Sequence, residues 1–286
     1  MSARAWTAFA IVSVLWGIPY LFISIAVEDG ISPGFLAWSR VVLGAAVLLP
    51  LAWRAGALSG LRGHWRWLLV YATLEIAIPF PLIALGEEHV SSSVAAILIA
   101  ASPLLVAVLA RLFDHTERVG GRRLAGLVAG FAGVVALVGV DIAGDRDELL
   151  GAIAILIAAV GYAAGPMTLQ ARLATIDPLA IMAGALALAA VLLTPLAALS
   201  PPGDAVPAEA IVSIAVLGIL CTAAAFVLFG ALVIDVGAGR ALVITYIAPV
   251  VALIAGIVVL GESPGVGTLI GLPLILAGSR LATGAD

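Results

Sequence analysis

The sequence predicts an all-helical integral membrane protein whose ten transmembrane helices form two inverted repeats of five. The first reason is composition, since 64% of the 286 residues are hydrophobic and only 10% are charged. Soluble domains are about 45–50% apolar and about 25% charged, and a soluble chain this poor in charge would expose a largely apolar surface. The second reason is an internal repeat, and the third is a strong bias of arginine toward alternate connections.

The internal repeat relates residues 94–134 to residues 240–279. Each copy reads as an apolar helix with a proline in its middle, a break at a glutamate, and a second apolar helix that contains glycines. The aligned pairs are Pro103 with Pro249, Glu117 with Glu262, Leu124 with Leu269, Gly126 with Gly271 and Gly133 with Gly278. Chance similarity between apolar helices is the alternative, and the alignment of proline, glutamate and glycines argues against it.

Ten apolar segments have about the 20 residues that a helix needs to cross a bilayer. They are residues 5–27, 33–53, 66–86, 92–113, 121–140, 149–170, 178–199, 209–233, 238–260 and 265–283. The connections are short and carry turn-forming residues, so no soluble domain fits between the segments. The sixth segment is the least defined, because Gly161, Gly165 and Pro166 interrupt it.

The arginines predict the orientation, because short cytoplasmic connections carry an excess of positive charge. With a cytoplasmic N-terminus, every arginine except Arg40 and Arg146 falls inside and most acidic residues fall outside. Both termini are then cytoplasmic. Five helices per half is an odd number, so the halves, residues 1–140 and 141–286, enter the membrane in opposite senses. This is the inverted-repeat architecture of secondary transporters, whose binding site lies near the midplane between the repeats.

Several short motifs resemble the EamA-like domain of the drug/metabolite transporter superfamily. The second copy of the repeat carries Leu260-Gly261-Glu262, Leu269-Ile270-Gly271 and Leu276-Ala277-Gly278. Leu15-Trp16-Gly17 resembles the Trp-Gly that opens the first repeat, Tyr162-Ala163 occupies the equivalent place in the second, and Arg40 stands where the family often has arginine. Residues 114–117 depart from the family's Leu-Gly-Glu, so the first copy is the more degenerate. The resemblance covers essentially the whole chain.

The resemblance implies a multi-pass transporter of the bacterial inner membrane that moves a small metabolite, such as an amino acid or a related solute, with export as the expected direction. The implied partners are the solute and membrane lipid, with no nucleic acid, no cofactor and no enzymatic activity, and we expect a monomer rather than a homodimer. Alternating access with or without proton coupling fits this expectation. An intramembrane enzyme and a non-transporting membrane protein are the alternatives, but no paired intramembrane acids or zinc motif favours an enzyme.

Arg40 and Glu75 are the only charges that the sequence places deep in the apolar segments. A charge at the bilayer centre costs roughly 2.5–3.5 kcal/mol on insertion scales, so such residues usually face a cavity or a partner. Their predicted depths differ by roughly 5 Å at 1.5 Å per residue, which a long arginine side chain can bridge. They are interpreted either as a site for a substrate carboxylate or a proton, or as a buried ion pair between the second and third helices.

Aromatic, hydroxyl and proline residues complete the candidate cavity. Trp16 lies in mid-membrane near Tyr20, with Tyr162 at the equivalent place of the second half, and these residues are interpreted as a cavity wall or as helix packing. A proline kinks a helix and frees a carbonyl, and freed backbone that lines a cavity suits solute binding. The predicted kinks are Pro19, Pro79, Pro103 and Pro249, and the polar residues beside the last two are Ser102, Thr245 and Tyr246.

The remaining motifs are interpreted as structural. The glycine pairs within residues 126–130 and 267–271 allow close helix approach, with a dimer interface as the lesser alternative. Glu117 and Glu262 stand at helix starts, where exposed N–H groups favour a carboxylate. The three histidines lie far apart in connections, so no metal site is predicted. Cys221 is the only cysteine and is interpreted as a small packing residue.

The orientation can be tested with one added cysteine in the connection at residues 200–208. An impermeant thiol reagent added outside intact cells is expected to label Asp204→Cys, because the arginine bias places this connection outside. The parent chain, which contains only Cys221, is the control. Labelling of Arg118→Cys from outside, together with a protected Asp204→Cys, would reverse the assigned orientation.

Overall fold

The computed structural model describes residues 2–113, 121–142, 144–203, 205–236 and 243–283, and their regular structure is entirely helical. The helices long and apolar enough to cross a membrane are α1 (Ala3–Glu28), α2 (Pro33–Arg54), α3 (Trp65–Glu87), α4 (Ser92–Leu112), α5 (Gly121–Ile142), α6 (Arg146–Arg172), α7 (Pro178–Leu199) and α8 (Ala208–Val233). Two shorter apolar helices follow, α9 (Ile244–Val259) and α10 (Val266–Ala282). Each of these helices coincides with one of the ten predicted segments.

Side-chain caps define where several helices begin. Ser2, Ser32, Ser91, Asp145 and Asp177 precede α1, α2, α4, α6 and α7, and each accepts a hydrogen bond from a backbone N–H of the first helical turn. The first N–H groups of a helix have no partner within the helix, so these side chains supply one. Short polar connections therefore suffice to separate long apolar helices.

Three of the four prolines predicted as kinks lie at interruptions of a helix. α1 breaks before Pro19, and α4 breaks at residues 100–101, just before Pro103. Pro79 begins a new α-helical segment within α3. In contrast, α9 runs without interruption through Pro249, so the two copies of the repeat differ at this aligned position.

The expected interruption of the sixth helix was wrong. α6 is continuous from Arg146 to Arg172 and includes Pro166. Its glycines serve close approach to α3: a Cβ on Gly161 would overlap the carbonyl oxygen of Leu74, and one on Gly165 would overlap the carboxylate of Glu75. Proline is tolerated within membrane helices when neighbouring groups satisfy the freed carbonyl. Glycine in this helix therefore marks a contact surface rather than a break.

α5 and α10 form the most intimate pair, and they run antiparallel. A Cβ on Gly133 would meet the carbonyl oxygen of Gly271 at 2.9 Å, and a Cβ on Gly271 would meet that of Gly133 at 2.8 Å. Further along, a Cβ on Gly278 would overlap the backbone of Gly130. Glycines on both helices thus let the two backbones touch, in agreement with their interpretation as packing positions.

α2 and α7 form a second antiparallel pair. Gly34 near the start of α2 faces Leu196 near the end of α7. Gly44 faces Leu186, which lies about three turns before Leu196 in α7. The Trp38 indole N–H also donates a hydrogen bond to the Thr194 hydroxyl at 3.2 Å. Here the glycines receive leucine side chains, so the helices are held by side-chain interdigitation rather than by backbone contact.

Several of the other helix contacts correspond between the two halves. α1 packs against α8 and α9, α6 packs against α3 and α4, α2 packs against α8, α7 packs against α3, and α4 packs against α9. Exchanging each helix for the one five places away maps these pairs onto one another, whereas the contact of α10 with α4 has no comparable counterpart between α5 and α9 in the described residues. The largest apolar core of buried side chains lies among α2, α3 and α7.

Two carboxylates cap helices that lie far away in the chain. Glu262 accepts hydrogen bonds from the backbone N–H and the hydroxyl of both Ser92 and Ser93, at the start of α4. Asp141 at the end of α5 accepts from the N–H groups of Gly267 and Thr268 and from the Thr268 hydroxyl, at the start of α10. Glu262 was expected to cap the helix that follows it, and it caps α4 instead; Glu117 lies outside the described residues.

The α5–α10 contact predicts that Gly278→Ala destabilises the protein. The added methyl group would overlap backbone atoms of Gly130, which cannot move aside as a side chain can, and overpacking typically costs about 1–3 kcal/mol. Gly230→Ala in α8 is the matched control, because nothing lies within 4 Å of its added Cβ. Thermal unfolding of the purified variants in detergent should show a loss for Gly278→Ala alone; equal melting temperatures would contradict the tight contact.

Candidate functional site

Arg40 lies inside the bundle and is held by α3 and α8. It is 9% exposed, its Nε donates a hydrogen bond to the Thr222 hydroxyl at 2.9 Å, and its Cζ lies 4.0 Å from the centre of the Phe80 ring. A guanidinium over an aromatic face is attracted by the negative face of the ring. Among the described residues, this is the only hydrogen bond of Arg40, so its terminal nitrogens remain available to a ligand.

The partner of Arg40 is positioned by a π-helical turn of α8. Val216–Ala224 is wound as a π-helix, and the Thr222 hydroxyl donates a hydrogen bond to the Leu217 carbonyl, five residues earlier, at 2.7 Å. That bond fixes the hydroxyl oxygen as an acceptor for Arg40. Gly218 allows the approach, since its added Cβ would lie 3.0 Å from the Arg40 carbonyl oxygen. π-Helical turns frequently occur at functional sites.

Glu75 lies in a second π-helical turn, Thr73–Ala77 of α3. Its Oε2 is buried and has no hydrogen-bond partner among the described residues. The carboxylate rests against Gly165 of α6, where any side chain would displace it. The phenol groups of Tyr71 and Tyr162 lie close enough to interact with it electrostatically. A buried, unpaired carboxylate of this kind is costly in a folded protein unless a proton or a ligand meets it.

Arg40 and Glu75 do not form an ion pair with each other in the described part of the chain. Tyr162 lies in the region of both, since its hydroxyl interacts electrostatically with each. Tyr20 of α1 interacts in the same way with Tyr162 and Arg40. The structure thus brings together four of the residues that the sequence singled out, around one interior region reached from α1, α2, α3 and α6.

Trp16 lies at a different place, between α1 and α8. Its ring centre is 5.8 Å from that of Phe226 in an edge-to-face arrangement and 4.7 Å from that of Phe229. Gly17 meanwhile faces Val251 of α9. Packing therefore describes the contacts of Trp16, and its partners are the aromatic rings of α8 rather than Gly17.

The polar residues beside the aligned prolines are distributed over two helices. Ser102 is part-buried at the break of α4 and donates a hydrogen bond to the Ile99 carbonyl at 2.7 Å. Thr245 and Tyr246 lie part-buried at the start of α9 and have interaction partners. The Ser102 hydroxyl is therefore engaged by the backbone of its own helix.

Glu87 is a buried acid that the sequence analysis assigned to an outside connection. It is the last residue of α3, it is 6% exposed, and neither carboxylate oxygen makes a hydrogen bond within the described residues. The signal was present in the sequence, because Glu87 lies four, seven and eleven residues after Ile83, Phe80 and Ile76 and so continues their helical face. The adjacent polar Glu88 concealed that pattern.

Metal chemistry has no visible support in the described residues, where no group of three or more His, Cys, Asp or Glu side chains could hold an ion. Cys221 is a free, buried thiol. It interacts electrostatically with Arg40. Cys221 therefore lies near the interior region that contains Tyr20, Arg40, Glu75 and Tyr162.

Comparison with known proteins assigns the fold to a family. The profile of the EamA-like transporter family matches residues 4–139 and again residues 149–284. The chain belongs to the EamA-like transporter family. The resemblance that the motifs suggested is thereby confirmed, and the protein is a multi-pass membrane transporter by family.

Its similarity to individual family members extends over the full length. An uncharacterized transporter of Archaeoglobus fulgidus is 25% identical, with 99% of this chain and 98% of that protein covered. A probable terminal-alkyne amino-acid exporter of Streptantibioticus cattleyicolor is 30% identical, with 98% of this chain and 93% of that protein covered. A solved crystal structure matches with a TM-score of 0.68 at 22% identity and covers 99% of this chain and 97% of that chain, which shows a shared fold.

The hydrogen bond between Arg40 and Thr222 predicts unequal effects of two substitutions. Thr222→Val removes the acceptor and leaves the buried Nε–H of Arg40 without a partner, which typically costs about 1–3 kcal/mol. Thr222→Ser keeps the hydroxyl and is the matched control. Chemical unfolding in detergent should rank Thr222→Val clearly below Thr222→Ser, and the reverse order would show that the hydroxyl does not hold Arg40.

Proposed function

We propose that the protein is a secondary transporter that exports a small amino acid or a related zwitterionic solute across the bacterial inner membrane by alternating access. The observation that carries the proposal is an interior arginine with available terminal nitrogens and an interior carboxylate whose Oε2 has no hydrogen-bond partner among the described residues. Membrane-embedded charges of this kind face a cavity or a partner and usually mark a transport pathway. Arg40 and Glu75 are those two charges.

Arg40 is suited to a solute carboxylate. Among the described residues only its Nε is hydrogen-bonded, to Thr222, and the guanidinium lies over the Phe80 ring. The planar fork of a guanidinium matches the two oxygens of a carboxylate. Because the stem and the Nε are fixed by the protein, little side-chain entropy remains to be lost when the solute binds.

Glu75 is suited to the amine of the same solute. Its Oε2 has no protein partner in the described residues, and Gly165 leaves room for the carboxylate without covering it by a side chain. A solute that presents a carboxylate to Arg40 and an ammonium to Glu75 would neutralise both charges at once. The printed name of the Streptantibioticus relative, a probable amino-acid exporter, supports the same class of solute.

An inverted repeat of two halves, residues 1–140 and 141–286, would provide alternating access. The antiparallel packing of α2 with α7 and of α5 with α10 supports it, because each pair consists of helices that occupy the same place in the two halves. The double match of the family profile supports it as well. Superposition of the halves is expected to bring Pro103 onto Pro249 and Trp16 close to Tyr162.

The arginine bias supports cytoplasmic termini in this proposal. α3 then ends at the outer surface, and the connections before α5 and α9 lie at the cytoplasmic surface. Arg40 and Glu75 would lie between them, near the bilayer midplane, where the sites of such transporters are found. One copy of the chain contains every element of this site, so a monomer is sufficient.

The solute can be identified in two steps. Cells that express the chain are screened for resistance to toxic amino acids and amino-acid analogues, since an exporter protects the cell from its substrate. Each hit is then tested by counterflow in liposomes that contain the purified protein. Resistance together with counterflow is expected for at least one zwitterionic compound, and resistance to only non-zwitterionic compounds would reject the proposed solute class.

The two interior charges predict that Arg40→Leu with Glu75→Leu abolishes transport and preserves folding. Removing both buried charges spares the protein their desolvation cost, and replacing buried charges by apolar groups is often neutral or stabilising. The matched control is Arg54→Leu with Glu88→Leu, since these exposed residues lie on or next to the same helices. Counterflow and size-exclusion chromatography provide the measurements. Full counterflow by the first variant would remove both residues from the binding site.

A further inference from the structure

The end of the bundle at which α3 finishes contains two carboxylates in close proximity. Glu87 ends α3, and Glu262 lies in the connection before α10. The two interact electrostatically. This end is closed over them, because Ser92 and Ser93 are 0% and 2% exposed and Glu87 is 6% exposed. A buried carboxylate thus lies near a second, half-buried one.

The two carboxylates have opposite hydrogen-bonding environments. Glu262 accepts four hydrogen bonds from Ser92 and Ser93, so it acts there as an ionised acceptor at a helix N-terminus. Neither oxygen of Glu87 makes a well-formed hydrogen bond within the described residues, and the backbone of Ser24 is the one donor close enough to favour its ionised form. A buried, ionised carboxylate that is this poorly hydrogen-bonded and lies near a second ionised carboxylate is unfavourable. A neutral, protonated Glu87 removes both difficulties.

The charged and titratable surroundings of Glu87 come from each helix that packs against this part of α3. α1 contributes Tyr20 and the nearby backbone of Ser24, α2 contributes Arg40, and the connection before α10 contributes Glu262. α6 presents Ile155 and Gly151 to the neighbouring Gly86. Arg40 attracts an ionised Glu87 and Glu262 repels it. Among the described residues, Arg40 is the only cation in this set.

We propose that Glu87 binds the coupling proton of the transport cycle and that this proton controls the closure of the α3 end of the bundle. A proton from water adds to a carboxylate oxygen of Glu87, and the charge of Glu87 changes from −1 to 0. Glu262 can then keep its hydrogen bonds to Ser92 and Ser93. Loss of the proton to water restores two adjacent negative charges, which drives this end open. Glu87 has this role only if the protein is the secondary transporter proposed above.

The role of Glu87 also follows from its link to the solute site. Arg40 interacts with Glu87 and is the residue proposed to take the solute carboxylate. When the solute occupies Arg40, the positive charge that attracts an ionised Glu87 is compensated, and the protonated form of Glu87 gains by comparison. Solute and proton would then favour the same closed end, which is the differential interaction that coupling requires.

Closure of this end can be measured without any solute. Val90, which is 7% exposed, follows Glu87 closely in the chain, and Val90→Cys places a thiol beneath the closed end without changing any charge. Protein in lipid nanodiscs is treated with an impermeant maleimide in mildly acidic and in mildly alkaline buffer. The labelling rate of Val90→Cys at each pH is divided by that of His89→Cys, which places a thiol at an exposed position. This division corrects for the pH dependence of thiol reactivity.

The normalised labelling rate of Val90→Cys is expected to rise several-fold in alkaline buffer. Adding Glu87→Gln should keep the rate low in both buffers, because glutamine is neutral at either pH. Glu88→Gln changes the adjacent, exposed glutamate and should leave the pH response intact, and Glu87→Asp should retain it. A pH response that persists with Glu87→Gln, or that is missing from the parent, would overturn the proposal.

Infrared spectroscopy provides a second readout that needs neither labelling nor a neutral variant. Protonated Glu87 should give a carboxylic-acid C=O band in acidic buffer, which shifts with Glu87→Asp and is unchanged with Glu88→Gln. If no such band is present, Glu87 is ionised and the proposal is wrong. Both measurements are independent of transport, so a protein with the expected pH response but no counterflow would instead reject the proposed transport function.

Discussion

A polar group that enters the bundle is costly unless another protein group satisfies it, because the hydrocarbon region offers no water. This requirement decides which helices stay together. Arg40 of α2 depends on Thr222 of α8, the start of α4 depends on Glu262, and the start of α10 depends on Asp141 of α5. All three bonds join parts of the chain that are more than a hundred residues apart. Polar contacts therefore determine which helices associate, because lipid tails interact with apolar side chains about as well as other helices do.

The two antiparallel helix pairs differ in how they are held together. α5 and α10 touch backbone to backbone through glycines, and such a contact has few alternative arrangements because no side chain can change its rotamer to accommodate a shift. α2 and α7 meet through leucines that enter glycine gaps, which permits sliding by rotamer change. Arg40 belongs to α2 and thus to the second pair. A rigid α5–α10 pair and an adaptable α2–α7 pair would suit the transport cycle proposed above, in which Arg40 binds the solute.

The sequence was sufficient for those features that depend on periodicity and composition. Helix positions follow from apolar length, and the packing role of Gly126 and Gly271 follows from glycine spacing in apolar helices. It was not sufficient where a residue's partner lies on a distant helix. Nothing in the local sequence indicates that Glu262 caps α4, or that Arg40 is held by Thr222 rather than by Glu75. The continuous helix through Pro166 was missed for a different reason, since glycine and proline in a membrane helix do not carry the meaning they have in water.

Of the two similar halves, only the first carries charges at the aligned positions of Arg40, Glu75 and Glu87. The spacing that aligns Pro103 with Pro249 also aligns Glu75 with Cys221, Arg40 with Leu186 and Glu87 with Val233. π-Helical turns occur in both α3 and α8 around the first of these positions, so the backbone irregularity is common to both halves while the carboxylate is not.

A charge retained at both aligned places would add the cost of burying a second set of ions, and it would make the two ends of the bundle chemically equivalent. With charges from α2 and α3 alone, the proposed closure of the α3 end would change the surroundings of Glu87, whereas the aligned position in the other half is the neutral Val233. A ligand can shift a conformational equilibrium only by its differential affinity for the two states. The asymmetric placement of charge on similar helices is therefore what would allow protons and solute to distinguish one side of the membrane from the other.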